Sequence, residues 1–191
     1  MNVITAVAQV GELVEVQKLD PTLRKEIRYA TAKNFMEEVL YDDDRCFLRP
    51  ETAERLVAAH RELQKEGLGI KVYDCYRPLS VQKRMFARFP QPGYVADPAK
   101  GSNHNRGAAV DCTLVDRDGK ELEMPSDYDE FTERAHLAYD QAPERQLANR
   151  AKLQKVMLAQ GFTSITMEWW HFDAPNAAAY PVLDIPIEDL P

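Results

Sequence analysis

The segment Ala108-Ala-Val-Asp-Cys-Thr-Leu-Val115, followed by Asp116-Arg-Asp-Gly119, decides the fold class of this chain. Alternation puts Val110, Cys112 and Leu114 on one face and Ala109, Asp111 and Thr113 on the other, which is the period of a strand. The Asp-Arg-Asp-Gly run then turns the chain, a connection that favours antiparallel pairing. Upstream, Leu68 to Tyr76 reads as a second strand, with Ile70, Val72, Asp74 and Tyr76 opposed to Lys71, Tyr73 and Cys75. A helix opens at Pro50, with Glu51 and Glu54 on the positive end of its dipole, and stops at Gly67. Its apolar positions Leu56, Val57, Ala59 and Leu63 recur at helical spacing. Leu79 to Phe89 reads as a helix with Ser80 as a cap, Pro143 to Gln160 as a second long helix closed by Gly161, and Phe162 to Asp173 as a strand. The expectation is an α+β fold: one domain over residues 1–191, with a central, mainly antiparallel sheet flanked by helices.

Composition narrows the function. A chain of 191 residues buries roughly two-thirds of its unfolded surface, enough for one core. Its 24 Lys and Arg against 31 Asp and Glu give a net charge of -7, so no electrostatic footprint for nucleic acid or an anionic membrane is present. No apolar stretch approaches the roughly 20 residues of a spanning helix, and no basic region followed by an apolar run marks the N-terminus. The expected location is the cytoplasm, or the periplasm if a leader has been removed. Oligomeric state is left open. Cys46, Cys75 and Cys112 lack metal-binding spacing and read as small buried residues, with a Cys46 to Cys75 disulfide as the open alternative.

The chemistry lies in two short runs: Ser102-Asn-His-Asn-Arg-Gly-Ala-Ala-Val-Asp111 and Glu168-Trp-Trp-His171. His104, Asp111 and His171 make a three-ligand sphere for one zinc ion with an open position, and Glu168 supplies the base that a water in that position needs. The remaining histidines, His60 and His136, sit in patterns that packing or exposure explains. Glu168 and His171 are three apart, so in a regular strand they point to opposite faces. Both reach one cleft only if a bulge or turn crosses Trp169 and Trp170, whose rings read as core or cleft wall. The loop punctuated by Pro90, Pro92, Gly93 and Pro98 leads into the first motif, and a loop of that length usually has a function.

These residues resemble the zinc D-alanyl-D-alanine dipeptidases of the VanX type, within the group that also holds zinc D,D-carboxypeptidases and the hedgehog signalling domain. The resemblance rests on Tyr29-Ala-Thr-Ala-Lys-Asn-Phe35, Asp74-Cys-Tyr-Arg-Pro78, the Ser102 to Asp111 run, Tyr128-Asp129 with Glu133-Arg134 behind it, and Glu168 to His171. It implies that His104, Asp111 and His171 hold zinc while Glu168 takes a proton from the attacking water and delivers it to the departing amine. Arg77 matches the arginine that stabilises the tetrahedral oxyanion, with an ion pair to Asp74 as its plainer role. Tyr29 and Asp129 match the residues that hold the substrate ammonium, and Ser102 matches one near the substrate carboxylate. Asp129 alone also reads as part of a solvated acidic loop. Cys75 stands where the family commonly has glycine and is expected to point away from the cleft.

The resemblance implies hydrolysis of the free dipeptide to two D-alanines, in depletion or turnover of a cell-wall precursor. A D,D-carboxypeptidase or murein endopeptidase is the second reading, and a noncatalytic zinc-binding module the third. A structural site has no use for Glu168 and Arg77 in these positions.

Overall fold

The computed structural model describes residues 12–91 and 93–191. Pro92 and the N-terminal stretch on which the no-leader expectation rests lie outside the described residues. In chain order the elements begin with β1 (Val14–Glu15), α1 (Val16–Leu19), β2 (Arg24–Lys25) and β3 (Phe47–Leu48). They continue with α2 (Pro50–Gln64), β4 (Leu68–Asp74), α3 (Leu79–Arg88), β5 (Ala109–Asp116), α4 (Glu144–Ala159), β6 (Thr163–Ile165) and β7 (Glu168–Asp173).

Five strands form the main sheet in the order β2-β4-β5-β7-β6, and β1 pairs with β3 apart from it. Only β2 and β4 run parallel; the other pairs in the sheet are antiparallel, as the turn at Asp116–Gly119 implies. Helix α2 packs on β4 and α4, and α4 reaches β5, β6 and β7. Pro50 occupies the first turn of α2, where its missing N–H costs nothing, and Leu56, Ala59, His60 and Leu63 form its buried face. Burying Leu56 and Leu63 fully contributes about 1.5–3 kcal/mol each.

Two of the sequence readings need correction. Ser80 does not cap α3: the cap position is Pro78, and Asp184 Oδ1 instead accepts from the Ser80 backbone N–H at 2.7 Å. A proline fixes the extended backbone that a cap requires, so the serine lies inside the first turn, past the cap. The stretch from Phe162 to Asp173 is a hairpin of β6 and β7 around Thr166 and Met167, not one strand. Alternation does not separate a long strand from two short ones joined by a two-residue turn without glycine.

Cys46 and Cys75 form a disulfide across a sequence separation of 29, which settles the open alternative, while Cys112 is free and buried. His60 is a core histidine: its Nδ1 accepts from the Ile70 backbone N–H at 3.0 Å and its Nε2 lies 3.0 Å from Thr22 Oγ1.

Candidate active site

The register of the sheet builds the floor of the site. Asp74 on β4 pairs with Asp111 on β5, and Asp111 pairs with His171 on β7, so three candidate site residues stand in a row across adjacent strands. His104 arrives from the turn before β5, a short 3-10 segment of residues His104–Arg106 ended by Gly107 in the left-handed region at φ 66. The left-handed backbone favours glycine at this position, and a Cβ there would stand 2.4 Å from Leu13 Cδ2, so the end of that side chain would have to shift.

The predicted ligands converge. His104 Nε2 lies 3.2 Å from His171 Nδ1 and 3.3 Å from Asp111 Oδ1, and His171 Nδ1 lies 3.0 Å from Asp111 Oδ1. With metal–ligand bonds of about 2.0–2.1 Å, a tetrahedral zinc sphere has ligand–ligand edges of about 3.3 Å. The three atoms therefore already stand nearly at the corners of such a face. Their outer partners complete the fit: His104 Nδ1 is 2.7 Å from the Cys75 carbonyl and His171 Nε2 is 2.9 Å from Asp173 Oδ1. With the outward nitrogens protonated, each imidazole would turn a lone pair toward the other candidate ligands once a metal displaces the inner proton, the arrangement common to metal-binding histidines. The Tyr128 hydroxyl donates to the other carboxylate oxygen, Asp111 Oδ2, at 2.9 Å.

Electrostatics agree with a cation site. Burial opposes charge on Asp111, yet His104 and His171 hold its carboxyl well below the ordinary range. Burial also opposes protonation of His171, but Asp111 and Asp173 raise its pKa well above 6.5, so a cation binding here competes with a proton.

Glu168 opens onto the same cavity as the three ligands, a space of about 320 Å³. That volume lies near the lower end of the roughly 300–1,000 Å³ typical of ligand pockets and suits a small molecule. The expected irregularity in β7 is present as a jump in its pairing with β6. Ser164 faces Phe172 and the next residue, Ile165, faces Glu168, so the ladder skips Trp169 to His171 without a turn in β7 itself. Both Glu168 and His171 line the cavity as a result. Trp169 and Trp170 are buried; Trp170 forms cavity wall, while Trp169 Nε1 donates to Ser126 Oγ at 2.9 Å. Burial, with Asp111 and Asp129 adding negative charge nearby, pushes the Glu168 carboxyl up to about 8 despite the opposing pull of His171 and Arg77. A dication held at the cluster would draw that value down again.

Arg77 makes the ion pair with Asp74 and also faces the cavity. Its Nε and Nη2 donate to Asp74 Oδ2 at 3.0 and 2.6 Å, and it also lines the cavity. Burial works against its charge, but Asp74 raises its pKa well above the ordinary value, so the guanidinium stays charged. Tyr29 donates to Asp129 Oδ1 at 3.2 Å, and the Phe35 backbone N–H reaches Asp129 Oδ2 at 3.4 Å. Burial, with Asp111 nearby, moves the Asp129 carboxyl up to about 7. Asp129 therefore belongs to the cavity wall, not to a solvated loop, and it holds a left-handed backbone conformation at φ 60. Ser102 also lines the cavity, its Oγ accepting from the His104 backbone N–H at 3.2 Å. Cys75 is not among the lining residues, in line with its expected orientation.

Three contributors were not anticipated. Asp173, Tyr128 as a partner of Asp111, and the Cys75 carbonyl each contact one of the candidate ligands. The Asp173 signal was present, because a residue two places after His171 shares its face in a strand; the carbonyl has no sequence signature.

The profile of the peptidase M15 family, described as D-ala-D-ala dipeptidase, matches residues 9–189. A D-alanyl-D-alanine dipeptidase of Escherichia coli K12 is 39% identical over 172 residues, covering 90% of this chain and 89% of that protein. One from Enterococcus faecium is 30% identical over 193 residues, covering 87% and 93%. Among solved structures, the LdcB LD-carboxypeptidase gives a TM-score of 0.41 at 20% identity over 70% of this chain and 62% of that one, a distant likeness. The profile match over nearly the whole chain, together with relatives of this identity and coverage, shows that the chain belongs to the peptidase M15 D-alanyl-D-alanine dipeptidase family.

Proposed function

We propose that this protein is a zinc-dependent dipeptidase, a single peptidase domain that hydrolyses free D-alanyl-D-alanine. The observation that carries the reading is one small cavity joining the His104, Asp111 and His171 cluster to Glu168, Arg77 and Asp129. Bound at the cluster, zinc would polarise the scissile carbonyl and lower the pKa of water toward about 7.

The remaining work falls to side chains. Glu168 removes a proton from the attacking water and returns it to the departing amine, splitting the amide into a carboxylate and an amine. Arg77 donates to the carbonyl oxygen as it gains negative charge, and its permanent charge makes it suited to that position. Asp129, steadied by the Tyr29 hydroxyl, accepts the substrate ammonium, and Ser102 meets the carboxylate end. Recognition of both termini excludes longer peptides, because a neutral amide in place of the ammonium leaves Asp129 buried without a countercharge.

Among the described residues no helix is long and apolar enough to cross a membrane. Disulfides persist in oxidising compartments, so the Cys46–Cys75 bridge favours the periplasm over the cytoplasmic location expected from the sequence.

The test is alanine release from D-alanyl-D-alanine by zinc-loaded protein, beside L-alanyl-L-alanine, an N-acetylated D,D-dipeptide and the Glu168→Ala variant. Release from the free D,D-dipeptide alone, lowered about 10²–10⁴-fold in the variant, is the expected result. Cleavage of the acetylated compound would move the protein to the carboxypeptidases, and no cleavage of any compound would remove the enzymatic reading.

A further inference from the structure

Gln82 lies on α3, is fully buried, and takes no part in the chemistry described above. Buried side-chain amides cost free energy unless both ends are satisfied, so the partners of this one are informative. Its Oε1 accepts from Arg77 Nη1 at 2.8 Å, and its Nε2 donates to the Ala96 carbonyl at 2.8 Å. Ala96 belongs to the stretch Gly93, Tyr94, Val95 and Ala96, which forms one wall of the active-site cavity. One amide therefore joins the guanidinium to that wall.

A guanidinium has five N–H groups in a rigid plane. Asp74 Oδ2 takes one from Nε and one from Nη2, and Gln82 takes one from Nη1. One N–H on each terminal nitrogen is left for a ligand. Asp74 alone holds one side of the fork and leaves the plane free to pivot about that contact. Gln82 holds the other terminal nitrogen and stops the pivot. Asp74 is itself held, since the Tyr41 hydroxyl donates to its Oδ1 at 2.9 Å.

We propose that Gln82 is a positioning residue that aims Arg77 at the oxyanion and couples its orientation to the loop that walls the cavity. The inference rests on the role assigned to Arg77 above. It also gives a function to the Pro-rich loop before the metal motif, because the Ala96 carbonyl sets where the Gln82 amide sits, and so where the two free N–H groups point. Gln82 itself is not among the residues that line the cavity.

The test uses a phosphinate analogue of the dipeptide, whose tetrahedral anionic centre resembles the transition state, with binding measured by calorimetry on the zinc-loaded protein. Gln82→Met keeps the volume and removes both hydrogen bonds; Gln82→Asn keeps an amide that is one methylene too short, and is carried in parallel in case the first variant folds poorly. Thermal stability and zinc content are recorded for each. The expected result is an approximately tenfold loss in phosphinate affinity and in kcat, with KM changed less than about twofold. In an Arg77→Ala background the same replacements at Gln82 should change phosphinate affinity less than about twofold, because the group they act through is gone. Losses that multiply independently in the double variants, or equal losses in KM and kcat, would overturn the proposal and leave Gln82 a packing residue. If Arg77→Ala alone leaves phosphinate affinity unchanged, the role of Arg77 fails first and the proposal falls with it, an outcome distinct from the other two.

Discussion

Replacing Asp173 by alanine should weaken metal binding without removing a ligand. His171 Nε2 lies 2.9 Å from Asp173 Oδ1, and this contact fixes the ring so that Nδ1 faces Asp111 and His104. Loss of such an outer carboxylate typically costs about 10–100-fold in metal affinity. The Asp173 side chain keeps 19% of its surface exposed, so water can replace the lost acceptor and the cost should fall at the lower end, about tenfold. That factor is about 1.4 kcal/mol of metal-linked stability. At 2–4 °C per kcal/mol for a chain of this size, Tm in excess zinc should fall by about 3–6 °C. Zinc affinity is read by competition with a chromophoric chelator, and Tm is recorded with zinc and with EDTA. An unchanged affinity, or a Tm gap of the same size in EDTA, would refute the reasoning, because the effect would then not pass through the metal.

The Cys46–Cys75 bridge closes a loop of 29 residues in sequence, so the Cys46→Ser, Cys75→Ser double variant should be about 3–4 kcal/mol less stable in urea unfolding. Reductant should destabilise the parent by a similar amount and leave the double variant alone; a parent midpoint indifferent to reductant would count against the bridge. His60 predicts a pH effect remote from the metal. Burial moves its pKa below 6.5 in the folded protein, with Asp20 opposing, and its Nδ1 must stay unprotonated to accept from Ile70. The unfolded chain therefore binds this proton more readily, and stability falls as pH drops through about 6.5 toward the lower folded value. His60→Asn, which keeps an acceptor near Nδ1, should be less stable than the parent near pH 8 yet lose less between pH 7 and 5 when Tm is followed; parallel pH profiles would contradict this assignment.

What was legible in the sequence was local. Alternation located β4 and β5 because each has a face in the apolar core, and the glycine and proline signals bounded α2. The split of β6 from β7 was not legible, because Thr166 and Met167 have no turn chemistry of their own. The candidate histidine ligands could be read because histidine is rare here, four in the chain, and two of them sit in dense polar segments; Asp111 was read from its place in the same run. Their partners divide by kind: Asp173 obeys the strand period and was within reach, whereas the Cys75 carbonyl, being backbone, is the same in every residue.

The segment Asp74–Arg77 shows why a site of this kind is only partly written in its motifs. Asp74 holds Arg77 and accepts from Tyr41, the Cys75 carbonyl accepts from His104, and the Cys75 sulfur is bound to Cys46. The Arg77 backbone N–H donates to the His104 carbonyl at 3.1 Å, and the Arg77 carbonyl accepts from Asn105 Nδ2 at 2.8 Å. A proposed metal ligand, His104, and the arginine proposed to stabilise the oxyanion are thus tied together through Asp74, Cys75 and the Arg77 backbone, by backbone groups as much as side chains. Side chains that look independent in the sequence are therefore coupled in the fold. Substitutions here, unlike those at distant positions, should combine non-additively in both metal affinity and turnover, because each moves the frame on which the other acts.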